Sequence, residues 1–265
     1  MTRKLLVTGG TGFIGSYVVN LLKNSYSIDL IMWHREKMGD FLHKDDRRRT
    51  LNLVQPDIVL HLAWCTASGD DSKRTVAHDI WSHATLEFIE ECLNGDIWFI
   101  NAGSSVENDG HYLRHSPYGE AKSQIRDFLI KEMIVNSITQ LEMQYVFSLD
   151  DERPSVLKHF IESENFMMPQ LLDPEKKFDF IAVEDVAAGI STIIERGILG
   201  LVYLGSGKSR SVEQFIHTAN KILNVQIMPE KIFQCSESVL QPKELTSVGW
   251  TAEYTSSFFY KHLSQ

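Results

Sequence analysis

Tyr118 and Lys122 stand four residues apart behind Ser116-Pro117, and a serine pair, Ser104-Ser105, lies a short way upstream. On a helix, positions i and i+4 share a face, so the phenol and the amine can meet. Pro117 suits the first turn of such a helix. An ordinary phenol has a pKa of about 10, and proton exchange near neutrality asks for about 4 kcal/mol of extra stabilisation of the phenolate. A cation ~4 Å away, at an effective dielectric of about 20, supplies that amount. Lys122 is expected to be that cation, and a serine hydroxyl would complete the arrangement by hydrogen-bonding the oxygen that receives the proton. The spacing Tyr-x-x-x-Lys arises often by chance; its meaning depends on what precedes it.

What precedes it is a strand, a glycine turn and a helix. Leu5-Leu6-Val7 is a short apolar run flanked by polar residues, as in a buried parallel strand. Thr8-Gly9-Gly10-Thr11-Gly12-Phe13-Ile14-Gly15-Ser16 follows, and helical spacing then runs from Phe13 to Asn24. In this context the glycines form a cradle for a dinucleotide pyrophosphate. Gly9 allows the tight turn, Gly12 lets the backbone approach the phosphates, and Gly15 lets the helix pack on the strand. Phe13 and Ile14 open the helix, whose N-terminus offers N–H groups and the positive end of its dipole.

A second strand is expected from Ile28 to Trp33, followed by His34-Arg35-Glu36-Lys37. An NAD-preferring site places a carboxylate here for the ribose 2′-hydroxyl, whereas Arg35 beside His34 suits a 2′-phosphate. NADP(H) is therefore the expected cofactor, with NAD(H) the alternative if Glu36 takes the ribose. Further apolar strands are expected over 56–63 and 97–101, with a long helix from Val76 to Cys92 between them. This alternation implies a doubly wound parallel sheet, in which ligands bind at the carboxyl ends of the strands. The glycine turn, Leu62-Ala63-Trp64 and Ser104-Ser105 all fall at such ends. Leu62 and Ala63 are expected to line the cofactor, and Trp64 to wall the nicotinamide or substrate pocket or simply to pack at its rim.

With these pieces assembled, the chain resembles the short-chain dehydrogenase/reductase superfamily, in its extended branch of NAD-dependent epimerase/dehydratase type. The resemblance rests on the glycine segment, His61-Leu62-Ala63, Ser104-Ser105 and Ser116-Pro117-Tyr118-Gly119-Glu120-Ala121-Lys122. It continues through Asp179-Phe180-Ile181-Ala182-Val183-Glu184-Asp185-Val186-Ala187, Val202-Tyr203-Leu204-Gly205-Ser206-Gly207 and Leu245-Thr246-Ser247-Val248-Gly249-Trp250. It implies an α/β Rossmann domain over 1–150 and a small substrate-binding lobe over 151–265, with about 178–200 returning to the Rossmann core. It further implies that Tyr118 is the acid/base, that Lys122 binds the nicotinamide ribose and tunes Tyr118, and that Ser105, by residue count, holds the substrate oxygen; Ser104 is one residue away.

The resemblance also narrows the reaction. Dehydratases of this branch place an Asp-Glu pair directly after the hydroxyl residue, and epimerase-reductases place a Cys two residues after it. Here Val106-Glu107 follows Ser105, so both readings fall. Reduction of the 4-keto group of a nucleotide-linked 6-deoxy sugar is the expectation, with a nucleotide-sugar epimerase and a non-catalytic NADP-binding regulator as alternatives. Trp64, Glu107 and Arg153 are the expected substrate residues, and Lys176, Lys177 and Arg210 are further basic positions for a diphosphate. The segment Leu141–Leu149 departs from the family's pattern in lacking its Arg, Gly and Pro. A homodimer is a family expectation.

Composition sets outer bounds. The chain has 265 residues and a formal net charge of −9, which argues against a dedicated nucleic-acid binder. Arg47-Arg48-Arg49 is the basic cluster that stands out and reads as a solvated surface segment. Cys65, Cys92 and Cys235 are scattered, without metal-ligand spacing, and free thiols fit a reducing cytoplasm. No apolar run approaches the ~20 residues of a membrane span. The expectation is a cytoplasmic protein with neither a metal nor a membrane among its partners.

Overall fold

The structure, a computed structural model, describes residues 2–65, 71–108, 111, 113–148, 177–211, 214, 215, 217, 218 and 241–257. Arg153, Lys176 and Cys235 lie outside the described residues. The chain forms two compact units, Met1–Glu142 with Ile193–Val202, and Met143–Thr192 with Tyr203–Gln265.

The first unit is built on alternating strands and helices. In chain order these are β1 (Arg3–Thr8), α1 (Phe13–Leu22), β2 (Ile28–Met32), α2 (Arg35–Met38), α3 (Lys44–Val54) and β3 (Ile58–His61). They continue with α4 (Asp71–Asn94), β4 (Trp98–Ala102), a single 3₁₀ turn at Ser105–Glu107, α5 (Pro117–Glu132) and β5 (Ile138–Met143). Together with β8 (Gly200–Leu204) the strands form a six-stranded sheet in the order β2-β1-β3-β4-β5-β8. The pairings β1 with β2, β1 with β3, β3 with β4 and β4 with β5 are all parallel. The order reverses between β1 and β3, which sets a crevice at the carboxyl ends of those two strands. Helices flank the sheet, so its strands are buried on both faces. Leu5, Leu6, Val7, Val59, Leu60, Phe99 and Ile100 are all fully buried. Burying a side chain of this size contributes about 1.5–3 kcal/mol relative to exposure.

Helix α3 shows where charge patterning misleads. Arg47, expected in a solvated segment, is fully buried. One of its terminal nitrogens donates to the Phe41 carbonyl at 2.8 Å and the other pairs with Glu87. Arg48 pairs with Glu91 at 3.0 Å and Arg49 with Asp46 at 2.6 Å. The reason is helical geometry: consecutive residues point to different faces, and Glu87 and Glu91, one turn apart on α4, face α3. Burial of the guanidinium is tolerated because a carbonyl and a carboxylate accept from its two terminal nitrogens, while its Nε is buried without a partner.

The second unit contains β6 (Tyr145–Phe147), β7 (Lys177–Ala182) and β9 (Ser209–Ser211), a three-stranded sheet in the order β6-β7-β9. Helices α6 (Val183–Arg196) and α7 (Lys243–Thr246) belong to this part of the sequence. An aromatic core of Phe147, Phe178, Phe180 and Phe215 is nearly solvent-free, with the Phe180 and Phe215 rings stacked at 4.2 Å. Asp179 ties the unit together by accepting from the Tyr203 hydroxyl, the Ser206 and Gly207 amides and the Ser206 hydroxyl. Burial pushes its carboxyl up, and these four donors pull it back. Asp185 likewise accepts from the Tyr254 and Thr255 amides and the Thr255 hydroxyl.

Candidate active site

The glycine segment forms the turn that its spacing predicts. Gly9 has φ +70°, and a Cβ there would lie 2.7 Å from the Ala63 amide nitrogen, so β1 and β3 deliver their chain ends into contact. A Cβ on Gly15 would lie 2.1 Å from the Gly9 carbonyl oxygen, so only glycine lets α1 close onto the turn. The amide of Gly12 donates to the Gly9 carbonyl at 2.9 Å. Gly12 is the N-cap of α1; no side chain caps it and the first turn carries no acidic residue. Phe13 and Ile14 open the helix and are half-buried. The uncapped first-turn amides, with a turn into which a Cβ would not fit, suit a diphosphate.

Thr8, the last residue of β1, anchors this turn to β3. Its hydroxyl lies 2.7 Å from His61 Nδ1 and accepts from the Ala63 amide at 3.3 Å. The other imidazole nitrogen lies 3.1 Å from the Thr85 hydroxyl. Burial holds His61 neutral, with its pKa pushed down to about 3, and the charges of Lys122 and Arg47 act in the same direction. Leu62 and Ala63 follow as half-buried backbone beside Gly9. At the end of β2, His34 and Arg35 are exposed, and Arg35 pairs with Asp40 at 2.5 Å.

Helix α5 is launched by Ser116, whose hydroxyl accepts from the Gly119 amide at 3.1 Å, and by Pro117 in the first turn. Tyr118 and Lys122 therefore project from one face into the end of β4. Of the two serines, Ser104 is the one that acts on the Tyr118 phenol, favouring its ionised form. Ser104, not Ser105, is the serine brought to the tyrosine. Ser105 opens the 3₁₀ turn and is 6% exposed. Counting along the chain cannot resolve this one-residue choice, because consecutive residues leaving a strand face opposite ways.

Burial dominates the electrostatics of the centre. Tyr118 is pushed up to about 12, chiefly by burial; Ser104 opposes this, and the charges of Glu107 and Cys65 add to it. Lys122 is not among the causes of this shift. Its amine donates to the Ala102 carbonyl at 2.8 Å and sits 4.0 Å from the centre of the Trp64 ring. Burial lowers the Lys122 amine to about 8, against the pull of Glu107 and Cys65.

Trp64 packs edge-on against Tyr118 at 6.2 Å, with its indole N–H donating to His78 Nδ1 at 3.2 Å. The Cys65 thiol lies 3.1 Å from the same nitrogen. His78 reaches Tyr118 from α4, with ring centres 5.5 Å apart. Forty residues separate the two in the chain, and no local pattern marks His78. Glu107, expected to meet substrate, is turned inward instead: it is 1% exposed and both of its oxygens accept hydrogen bonds from the protein.

The profile of the NAD-dependent epimerase/dehydratase family matches residues 5–203, an interval that holds every part of this arrangement. The chain belongs to that family. Members of this family are NAD(P)-dependent enzymes. Among curated relatives, the chain is 23% identical over 247 residues to a dTDP-6-deoxy-L-talose 4-dehydrogenase (NAD(+)) of Aggregatibacter actinomycetemcomitans, covering 82% of this chain and 90% of the relative. The fold is similar to that of a dTDP-4-dehydrorhamnose reductase from Bacillus anthracis in complex with NADP, with TM-score 0.78, 15% identity and coverage of 100% and 99% of the two chains. It is also similar to a Thermus thermophilus UDP-glucose 4-epimerase in complex with NAD, with TM-score 0.72, 19% identity and 94% of each chain covered. No helix among the described residues is long and apolar enough to cross a membrane.

Proposed function

We propose that this family member is an NAD(P)-dependent oxidoreductase that interconverts the 4-keto and 4-hydroxy forms of a nucleotide-linked 6-deoxy sugar, with reduction as its main direction. The observation that carries the reading is the placement of Tyr118 and Lys122 one turn apart on α5, with the Lys122 amine on the Ala102 carbonyl at the end of β4, beside Ser104 and at the strand ends that also hold the glycine turn. The name of the curated relative supports the substrate class.

The bound nicotinamide cofactor would supply the hydride acceptor or donor. The Gly9–Gly15 turn and the first-turn amides of α1 would hold its diphosphate, Leu62 and Ala63 would lie along it, and Lys122 would bind its ribose. His34 and Arg35 follow β2 at the position that in this fold meets the adenine ribose, and they support NADP(H). Ser104 holds the sugar oxygen and Tyr118 delivers or takes its proton. Burial keeps the phenol protonated, which suits a donor in the reducing direction. Trp64 lies over the Lys122 amine, so that charge acts at low dielectric.

The test is direct. Purified protein is incubated with dTDP-6-deoxy-L-talose and NADP⁺ or NAD⁺, and reduced nicotinamide is followed by absorbance; the 4-keto sugar with NADPH or NADH gives the reverse reaction. Turnover that requires Tyr118 supports the reading. Retention of NAD with isomerised sugar and no net redox change would replace it with an epimerase.

A further inference from the structure

We infer that Glu107 is a positioning residue for this centre, holding the Ser104 backbone and setting the charge around Tyr118 and Lys122 without meeting the substrate. The inference rests on the roles given above to Ser104, Tyr118 and Lys122.

The geometry begins with a reciprocal cap. Ser104 Oγ accepts from the Val106 amide at 3.4 Å, while Glu107 Oε1 accepts from the Ser104 amide at 2.9 Å. Two contacts therefore fix the orientation of Ser104 where it acts on Tyr118. Glu107 Oε2 accepts from the Gln140 side-chain amide at 2.7 Å, and Gln140 in turn accepts from Asn101 at 2.8 Å. A chain of amides thus runs across the ends of β4 and β5 and stops at the carboxyl group.

The cap alone would be met by glutamine. The surroundings say why a titrating acid matters there. From α5, Lys122 and Arg126 face Glu107 as cations; from β5 comes Gln140, from β4 Asn101, and Tyr118 lies within its field. A second buried acid, Glu142 on β5, is held by Asn108 at 2.6 Å and shares the field of Arg126. Burial pushes Glu107 up to about 7, against the pull of Lys122, Gln140, Ser104 and Arg126. Its proton is therefore exchanged within the range in which an enzyme works. Ionised, Glu107 keeps Lys122 charged and makes the Tyr118 phenol a weaker acid; neutral, it releases both effects.

Two variants of the full chain separate cap from charge. E107A removes both and lowers kcat in the sugar–nicotinamide assay by about tenfold or more, with KM for the sugar changed less than about threefold. E107Q keeps the cap, because Asn101 Oδ1 is buried without a partner and the amide chain can turn over to meet the new amide. It recovers most of the kcat lost in E107A, but the inflection of the kcat profile near neutrality disappears. An E107Q profile that superimposes on the wild type overturns the charge-setting role, and an E107A enzyme with wild-type kcat overturns the positioning role. Infrared difference spectra between mildly acidic and alkaline buffer give a readout that needs no turnover. The wild type loses a protonated-carboxyl band that is absent from E107Q; if the two spectra match, the inference fails. Should the band behave as expected while no nucleotide sugar is turned over, the proposed reaction falls and the titration of Glu107 stands.

Discussion

Ser104, and not Ser105, is the serine that acts on the Tyr118 phenol, and this selects between two adjacent serines that the sequence presents equally. In S104A the sugar oxygen loses its second hydrogen-bond partner, and kcat/KM falls by about 10²-fold. In Y118F the proton is lost altogether, and the fall is about 10³-fold or more. S105A changes kcat/KM by less than about tenfold, since Ser105 is turned into the 3₁₀ turn. Steady-state kinetics of the three variants check the assignment, with NADPH binding by fluorescence as a control for folding. A larger loss in S105A than in S104A would return the role to Ser105.

The closeness of α1 to the glycine turn makes a second prediction. A Cβ on Gly15 would lie 2.1 Å from the Gly9 carbonyl and 2.8 Å from the Gly10 α-carbon. Both neighbours are backbone, so no side chain can swing away. G15A should lower stability by about 2–3 kcal/mol in urea melts. It should also weaken dinucleotide binding, because the first turn of α1 must back away from the cradle. Wild-type affinity in G15A would show that the turn does not hold the cofactor.

Arg35 separates cofactor choice from stability. Its side chain is 79% exposed and paired with Asp40, and ion pairs of this kind contribute about 0–1 kcal/mol. R35A should therefore melt like the wild type. Its affinity for NADPH should fall by about 10–100-fold while that for NADH changes by less than about threefold, since a charge-assisted contact to the 2′-phosphate is lost. Equal losses for both nucleotides would remove Arg35 from cofactor discrimination.

Much of the fold was legible because its signals are local. The strand–turn–helix at 5–22 is written in adjacent residues, and the i, i+4 spacing of Tyr118 and Lys122 predicts their shared face. The parallel sheet follows from the alternation of elements, and the family from the order of motifs. What was not legible depends on residues distant in the chain. The burial of Arg47 needs Glu87, forty residues away. The direction taken by the Lys122 amine needs the Ala102 carbonyl and Trp64. Glu107 reads as a substrate residue from its place after the serines, and only the amides of Ser104 and Gln140 show it turned inward. His78 enters from the middle of a long helix without any local mark.

His61 gives the pH prediction. Burial depresses its pKa from the ordinary 6.5 to about 3, so the folded protein keeps it neutral while the unfolded chain takes up a proton. The unfolded state thus binds more protons between these values. The stability contributed by neutral His61 is complete above about pH 6.5 and is lost as pH falls toward about 3, with a limiting slope of about 1.4 kcal/mol per pH unit. Buried Glu107 contributes the opposite slope, since its raised pKa means that the folded state binds the extra proton. The clean measurement is therefore a difference between proteins. Urea melts of wild type and H61Q at a series of pH values share the Glu107 contribution, and the gap between them should shrink as the buffer is acidified. H61Q is destabilised near neutrality, because its amide cannot serve the Thr8 and Thr85 hydroxyls as the ring does at 2.7 and 3.1 Å. It should close on the wild type below about pH 5, where the wild type is losing stability through His61. A gap that stays constant with pH would mean that His61 takes up its proton at the same pH in the folded and unfolded chains, and that burial does not hold it neutral.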